Sequence, residues 1–140
     1  MAYCTLTDIL ERVPEELLIQ LTDDAGAGAV EASVVARAIA DADAEINGYL
    51  GSRLAVPLDP APVLLRKLSV DMAVYHLHAR RAGAPEEWRQ RYEDARRLLN
   101  DVARGRVSLG VADPQGTPQP ATMLATSQER VFTRDGMKDF

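Results

Sequence analysis

Aromatic residues make up only 5% of this 140-residue chain, a single cysteine is present, and two lysines stand beside fourteen arginines. Each shortage narrows the reading. Alanine and leucine dominate the apolar set, and with so few aromatic side chains the composition favours helices over a β-sandwich. The lone Cys4 excludes an internal disulfide, which suits a reducing compartment such as the bacterial cytoplasm. No apolar run approaches the roughly 18 residues a membrane span requires, and the first residues lack the basic-then-apolar pattern of a secretory leader. A chain of this length accommodates one domain and an arm.

What the chain does have is charge, unevenly placed. The formal net charge is -5, yet residues 1–62 carry eleven acids against three bases, residues 63–110 carry six against ten, and the remainder nets -1. Such a division equips one subunit with complementary faces, as a head-to-tail ring requires; pairing of the two halves inside one monomer is the plainer alternative. Arg80, Arg81, Arg89, Arg91, Arg96, Arg97, Arg104 and Arg106 concentrate the cationic side chains. Arginine pairs bidentately with carboxylates or phosphates. Interleaved Glu86, Glu87, Glu93, Asp94 and Asp101, with a pI near 5.0, favour protein contacts over a DNA-binding field.

The periodicity predicts an all-α fold: two short N-terminal helices, three longer ones, and an extended C-terminal arm. Thr7 is expected to cap a first short helix that ends before Pro14, and residues 15–21 read as a second. Gly26 and Gly28 break the chain. From about Glu31, Val35, Ile39, Ala42, Ile46 and Tyr49 draw one apolar stripe along a helix of about 20 residues, roughly 30 Å long. Asp41, Asp43 and Glu45 fall mostly off that stripe and predict an acidic edge. Prolines 57, 60 and 62 make residues 55–62 an extended turn. The next helix, to about Arg81, is apolar on two faces (Leu65, Leu68, Met72 and Tyr75; Val70, Val74 and Leu77), as expected of a central helix. Gly83 stops it. Pro85 opens a last helix with Trp88, Tyr92, Ala95, Leu99 and Val102 on one side, and Gly105 ends it. Residues 1–110 therefore read as the helical domain. In the arm, 111–140, three prolines between 113 and 120 oppose regular structure, and apolar anchors return only at 131–140.

Catalytic and ligand chemistry finds little support. Counted from Asp23 as an EF-hand loop, Gly28 and Val30 fall correctly, but Ala25, Ala27 and Val34 occupy ligand positions, so a plain interhelical turn is expected. His76 and His78, two apart on a helix, point to different sides and cannot chelate one ion; packing or interface roles are expected. Cys4 lacks a basic neighbour or resolving cysteine and is expected near a mobile terminus. No phosphate loop is present. The expectation is no enzyme, no cofactor and no metal.

Two segments are the most distinctive: Ala44-Glu45-Ile46-Asn47-Gly48-Tyr49-Leu50-Gly51-Ser52-Arg53-Leu54-Ala55-Val56-Pro57-Leu58, and Asp71-Met72-Ala73-Val74-Tyr75-His76-Leu77-His78-Ala79-Arg80-Arg81. With the opening from Tyr3 to Leu10, the run Glu16 to Asp23, and the close Arg130-Val131-Phe132-Thr133-Arg134-Asp135, the chain resembles a small family of structural proteins of Mu-like tailed phages and prophages. The resemblance implies a virion part that assembles in the host cytoplasm, of the head-tail connector or neck-adaptor kind. Connector subunits of that kind are small helical modules in rings, commonly of twelve, beneath the portal. DNA would pass through the ring's lumen without specific binding, and the partners would be further copies, the portal and a tail or tail-completion protein, with no membrane. A tail-completion or terminator subunit is the second expectation; a helix-turn-helix DNA-binding regulator near residues 22–49 is the third. Asp41 and Glu45, against Arg96 and Arg97 of the next copy, are the candidate subunit contacts. Val131, Phe132, Arg134, Met137 and Phe140 are the candidate docking residues on the portal or a neighbour.

Deleting residues 129–140 is accordingly expected to leave the helical melting transition intact while abolishing attachment to neighbouring subunits or portal. Circular dichroism and a pull-down on one preparation check this. Loss of monomer stability with attachment retained would return the segment to the subunit's own core.

Overall fold

The computed structural model describes residues 2–81 and 83–111. Five α-helices form within them, and no strand is found among the described residues: α1 (Leu6–Leu10), α2 (Glu15–Thr22), α3 (Ala32–Leu50), α4 (Val63–Ala79) and α5 (Glu86–Ala103). The all-α expectation therefore holds for the helical part. The arm from 112 onward, with Val131, Phe132, Arg134, Met137 and Phe140, lies outside the described residues.

Local chemistry sets most helix boundaries. Prolines 14, 62 and 85 stand at the N-caps of α2, α4 and α5, with φ between -55 and -58° and ψ extended. The ring fixes a φ that leads into a helix, and a cap needs no backbone donor. Glycines 83 and 105 adopt φ of +93 and +76°, a region costly for other residues, just beyond α4 and α5. At α1 the expected cap was misplaced. Thr5, not Thr7, is the N-cap: its Oγ1 accepts from Asp8 N, and the Asp8 carboxylate accepts from Thr5 N at 2.8 Å. That reciprocal pair needs the acid three residues after the cap, and only Thr5 has it. α4 also stops at Ala79, two residues short of the expected end, with Arg80 as its C-cap.

Ten of the seventeen residues of α4 are buried, including Leu65, Leu68, Val70, Met72, Val74 and Leu77, on both predicted faces. A helix apolar nearly all round must be enclosed. α3 and α5 flank it, and α1 and α2 pack across α3 and α4, so α3 shares the central place. The stripe on α3 is buried at Val35, Ile39, Ala42 and Ile46, while Tyr49 is half-buried and Leu50 takes the inward position beyond it. α5 buries Trp88, Ala95, Leu99 and Val102, and Tyr92 is half-exposed.

Two expectations about polar residues fail here. Asp43 is not on an acidic edge: it is 7% exposed and turned into the bundle. Its Oδ2 accepts from Tyr3 N at 3.0 Å and its Oδ1 from Ser69 Oγ at 2.7 Å. Nor does Cys4 sit at a mobile terminus. Tyr3 and Cys4 are 4% and 2% exposed, and Tyr3 Oη donates to Asn47 Oδ1 and accepts from Leu58 N. Cys4 Sγ lies 3.1 Å from Ser69 Oγ, and burial pushes its thiol up to about 11. A thiol held protonated is a poor nucleophile. The physical reason for both is the same: a short polar side chain on α3 supplies the acceptors that let the first residues pack as a strap over α3 and α4.

Asp43→Ala is expected to lower stability by about 1–3 kcal/mol, because it strands the buried Tyr3 amide and Ser69 hydroxyl. Thermal unfolding checks the size of the loss, and faster thiol labelling of Cys4 checks that the strap is what loosens.

Candidate functional site

The richest polar cluster lies where α3, α4 and α5 meet. Tyr92 Oη of α5 lies 3.0 Å from both Glu45 carboxylate oxygens of α3, and burial with that bond pushes the phenol up to about 12. Tyr75 of α4 stacks flat on Tyr92, centroids 4.0 Å apart, and His76 meets both rings edge-on. His76 Nε2 is 3.4 Å from Glu45 Oε1. The Arg96 guanidinium covers the Tyr92 ring at 5.6 Å and its Nε donates to Tyr49 Oη at 3.3 Å. Sequence spacing gave Tyr75 and Tyr92 only as apolar stripe positions. A half-buried tyrosine keeps its hydroxyl at the polar margin, and that hydroxyl recruits the charged residues.

The four candidate contact residues are therefore unequal. Glu45 and Arg96 converge on the same tyrosine and form one patch of the surface. Asp41 is exposed with no ion-pair or hydrogen-bond partner among the described residues. The Arg97 side chain is 71% exposed and reaches only Asp94, at 3.4 Å. A polar groove of about 310 Å³, lined by Tyr49, Glu93, Arg96, Arg97 and Asn100, runs beside them. Two guanidiniums and an amide suit it to carboxylate contacts.

The arginine-rich helix largely closes its charges on itself. Arg89 pairs with Glu86 at 2.7 Å, Arg91 with Glu87 at 2.6 Å, Arg96 with Glu93 at 3.9 Å and Arg97 with Asp94 at 3.4 Å. Its five carboxylates and four guanidiniums leave it slightly acidic. Arg80 and Arg81 reach across the fold and clamp Asp24 at 2.7 and 2.5 Å. The loop before α3 is a hydrogen-bonded turn: Asp23 accepts from Ala27 N and Gly28 N, which holds its carboxyl below the usual range. Among the described residues, no group of three or more His, Cys, Asp or Glu could hold a metal, and no helix is long and apolar enough to cross a membrane.

The histidines part company. His76 is half-exposed in the cluster above. His78 is 6% exposed, its ring lies 6.4 Å from Trp88, and its Nε2 has no partner. Burial alone lowers its pKa. Tyr92→Phe is expected to cost about 0.5–1.5 kcal/mol by removing the bond to Glu45. A thermal melt checks it, and Glu45→Gln, which keeps an acceptor for the phenol, is expected to cost less.

Comparison with known proteins covers nearly the whole chain. The family described as Bacteriophage Mu, Gp36 matches residues 3–127. The Mu-like prophage FluMu protein gp36 of Haemophilus influenzae is 31% identical over 139 residues, 99% of this chain and 97% of its own. Gene product J of Escherichia phage Mu is 33% identical over 122 residues, 83% of this chain and 85% of its own. Those matched residues include α1 to α5 with the strap, the Glu45–Tyr92 junction and the arginine ladder, and the chain belongs to the bacteriophage Mu Gp36 family.

Proposed function

We propose that this chain is a structural subunit of the virion neck, a head-tail connector that assembles as a ring, joins the portal to the tail and continues the DNA channel. The observation that carries the reading is the end-to-end likeness to a Mu-like prophage protein, over 99% of this chain. The surface agrees with an assembly role. α5 presents paired charges with a slight acidic excess, so duplex DNA can slide past without being held. The groove at Arg96 and Arg97 offers a seat for carboxylates of a neighbouring copy, and Asp41 is one exposed acid on α3 that could fill it. Many weak contacts of this kind gain strength through ring closure. The arm, 111–140, supplies the docking element, with Phe132 and Phe140 as anchors.

A regulator of the helix-turn-helix type fits less well. α2 and α3 are separated by the nine residues 23–31, where that motif uses a turn of about 3–4. The exposed side of α3 offers one base, Arg37, beside Asp41, which gives little for phosphates to bind.

Native mass measurement of the purified protein, alone and with portal, is expected to show a ring, of twelve subunits, that binds portal. A trimer or hexamer that binds tail tube instead would favour a tail-completion subunit. Exchanging Arg96 and Arg97 for Glu is expected to weaken assembly strongly while the monomer's melting temperature moves little, since both side chains are solvent-exposed. Light scattering and circular dichroism on the same variant check the pair of outcomes.

A further inference from the structure

The seam between α4 and α5 is held unevenly. Among residues 86–94, Trp88 alone is buried; Ala95, Leu99 and Val102 fasten the rest of the helix. Trp88 lies between the buried His78 ring and the Arg91 guanidinium, which covers it at 4.7 Å. The first turn of α5, up to the Tyr92 anchor, thus packs through Trp88 on a buried imidazole whose Nε2 is enclosed and unpartnered. Gly83, with φ +93° and nothing near its α-carbon to crowd it, precedes Pro85 and lets the helix swing.

A proton on His78 finds no carboxylate partner among the described residues. The nearby charges include Arg91 across the tryptophan, Arg80 and Arg81 tied to Asp24, and Asp71 about two turns back on α4, whose Oδ2 is held by Lys67 at 2.8 Å and whose Oδ1 lies 3.9 Å from Arg12. The indole, 6.4 Å away and tilted, lies outside useful cation–π range. Beside Tyr92, one turn along α5 from Trp88, the surroundings are different. His76 Nε2 lies 3.4 Å from the Glu45 carboxylate, beside Tyr75 and Tyr92, with Arg96 over the Tyr92 ring.

We propose that the α4–α5 seam is an acid-sensitive hinge, in which charging of His78 releases the first two turns of α5 about Tyr92 while the rest of the bundle stays folded. The sign follows from burial. A histidine whose folded pKa is depressed stabilises the closed state fully above its ordinary value near 6.5, and that contribution is lost as pH falls below it. Acid therefore opens the Trp88 end, and the Glu45 junction serves as the pivot.

Trp88 is the only tryptophan, so emission of the intact chain reports this contact directly. Between about pH 8 and about pH 5 the emission is expected to shift to longer wavelength below the histidine range, while far-ultraviolet circular dichroism loses no more than two turns of helix. His78→Leu should abolish the shift and His76→Gln should retain it. Hydrogen exchange of the wild-type chain at both pH values, corrected for intrinsic rates, gives a second reading that needs no variant: amides 89–93 lose protection and amides 96–103 keep it. An unchanged emission down to pH 5, a shift that persists in a folded His78→Leu variant, or an equal loss of protection in all helices would each overturn the hinge.

Discussion

Enclosure of α4 is the constraint on which the other elements depend. Its apolar positions occupy two faces, so one partner helix cannot cover it, and α3, α5, α1 and α2 all contribute. Fully burying six large apolar side chains along one helix contributes on the order of 1.5–3 kcal/mol each, and the two short N-terminal helices, which would not form alone, are held by packing across α3 and α4. Enclosure also brings Ser69, Asp71 and His78 into the interior. Each needs an answer from a neighbouring element. Ser69 finds Asp43 and Cys4, Asp71 finds Lys67, and His78 finds only an aromatic face.

Those answers divide the molecule into a rigid side and a yielding one. On the α1 side, Tyr3, Cys4, Asp43 and Ser69 satisfy one another, so the strap locks α3 to α4. Toward the end of α4, a buried ring nitrogen without a partner faces Trp88, the one buried side chain in the first turn of α5. Between them the Glu45–Tyr92 junction joins three helices through a phenol, a carboxylate and stacked rings. For the ring proposed above, this arrangement is favourable, because the surface carrying Arg96 and Arg97 is fixed in place by internal contacts before any neighbour arrives.

The charge pattern acquires a different meaning in three dimensions. Read linearly, an acidic first half and a basic second half suggest two opposed patches. Folded, α5 neutralises its own arginines at i, i+3 and i, i+4 spacing, and Glu45 shares a patch with Arg96. Among the charges left for partners are Asp41 on α3 and the groove beside Arg97.

Periodicity and punctuation were legible directly. The 3.6-residue stripes at 35–49, 65–77 and 88–102, the prolines at 14, 62 and 85, and the glycines at 83 and 105 determine five helices and their order, because helix faces and backbone limits are local properties. Likewise the distinctive segments around Glu45 and His76 pointed to the Mu-like phage family. Only tertiary structure decided the polar residues. Asp43 sits about 40° around the helix from Ile39 and about 60° from Ile46 on the stripe, near enough to the margin that the strap's donors, forty residues away at Tyr3, determine whether it faces water or protein. Cys4 could be placed only by knowing that Ser69 lies beneath it, and His78 only by knowing that Trp88 covers it. Spacing along a chain reports which face a side chain shares; it carries no information about which distant atom will meet it there.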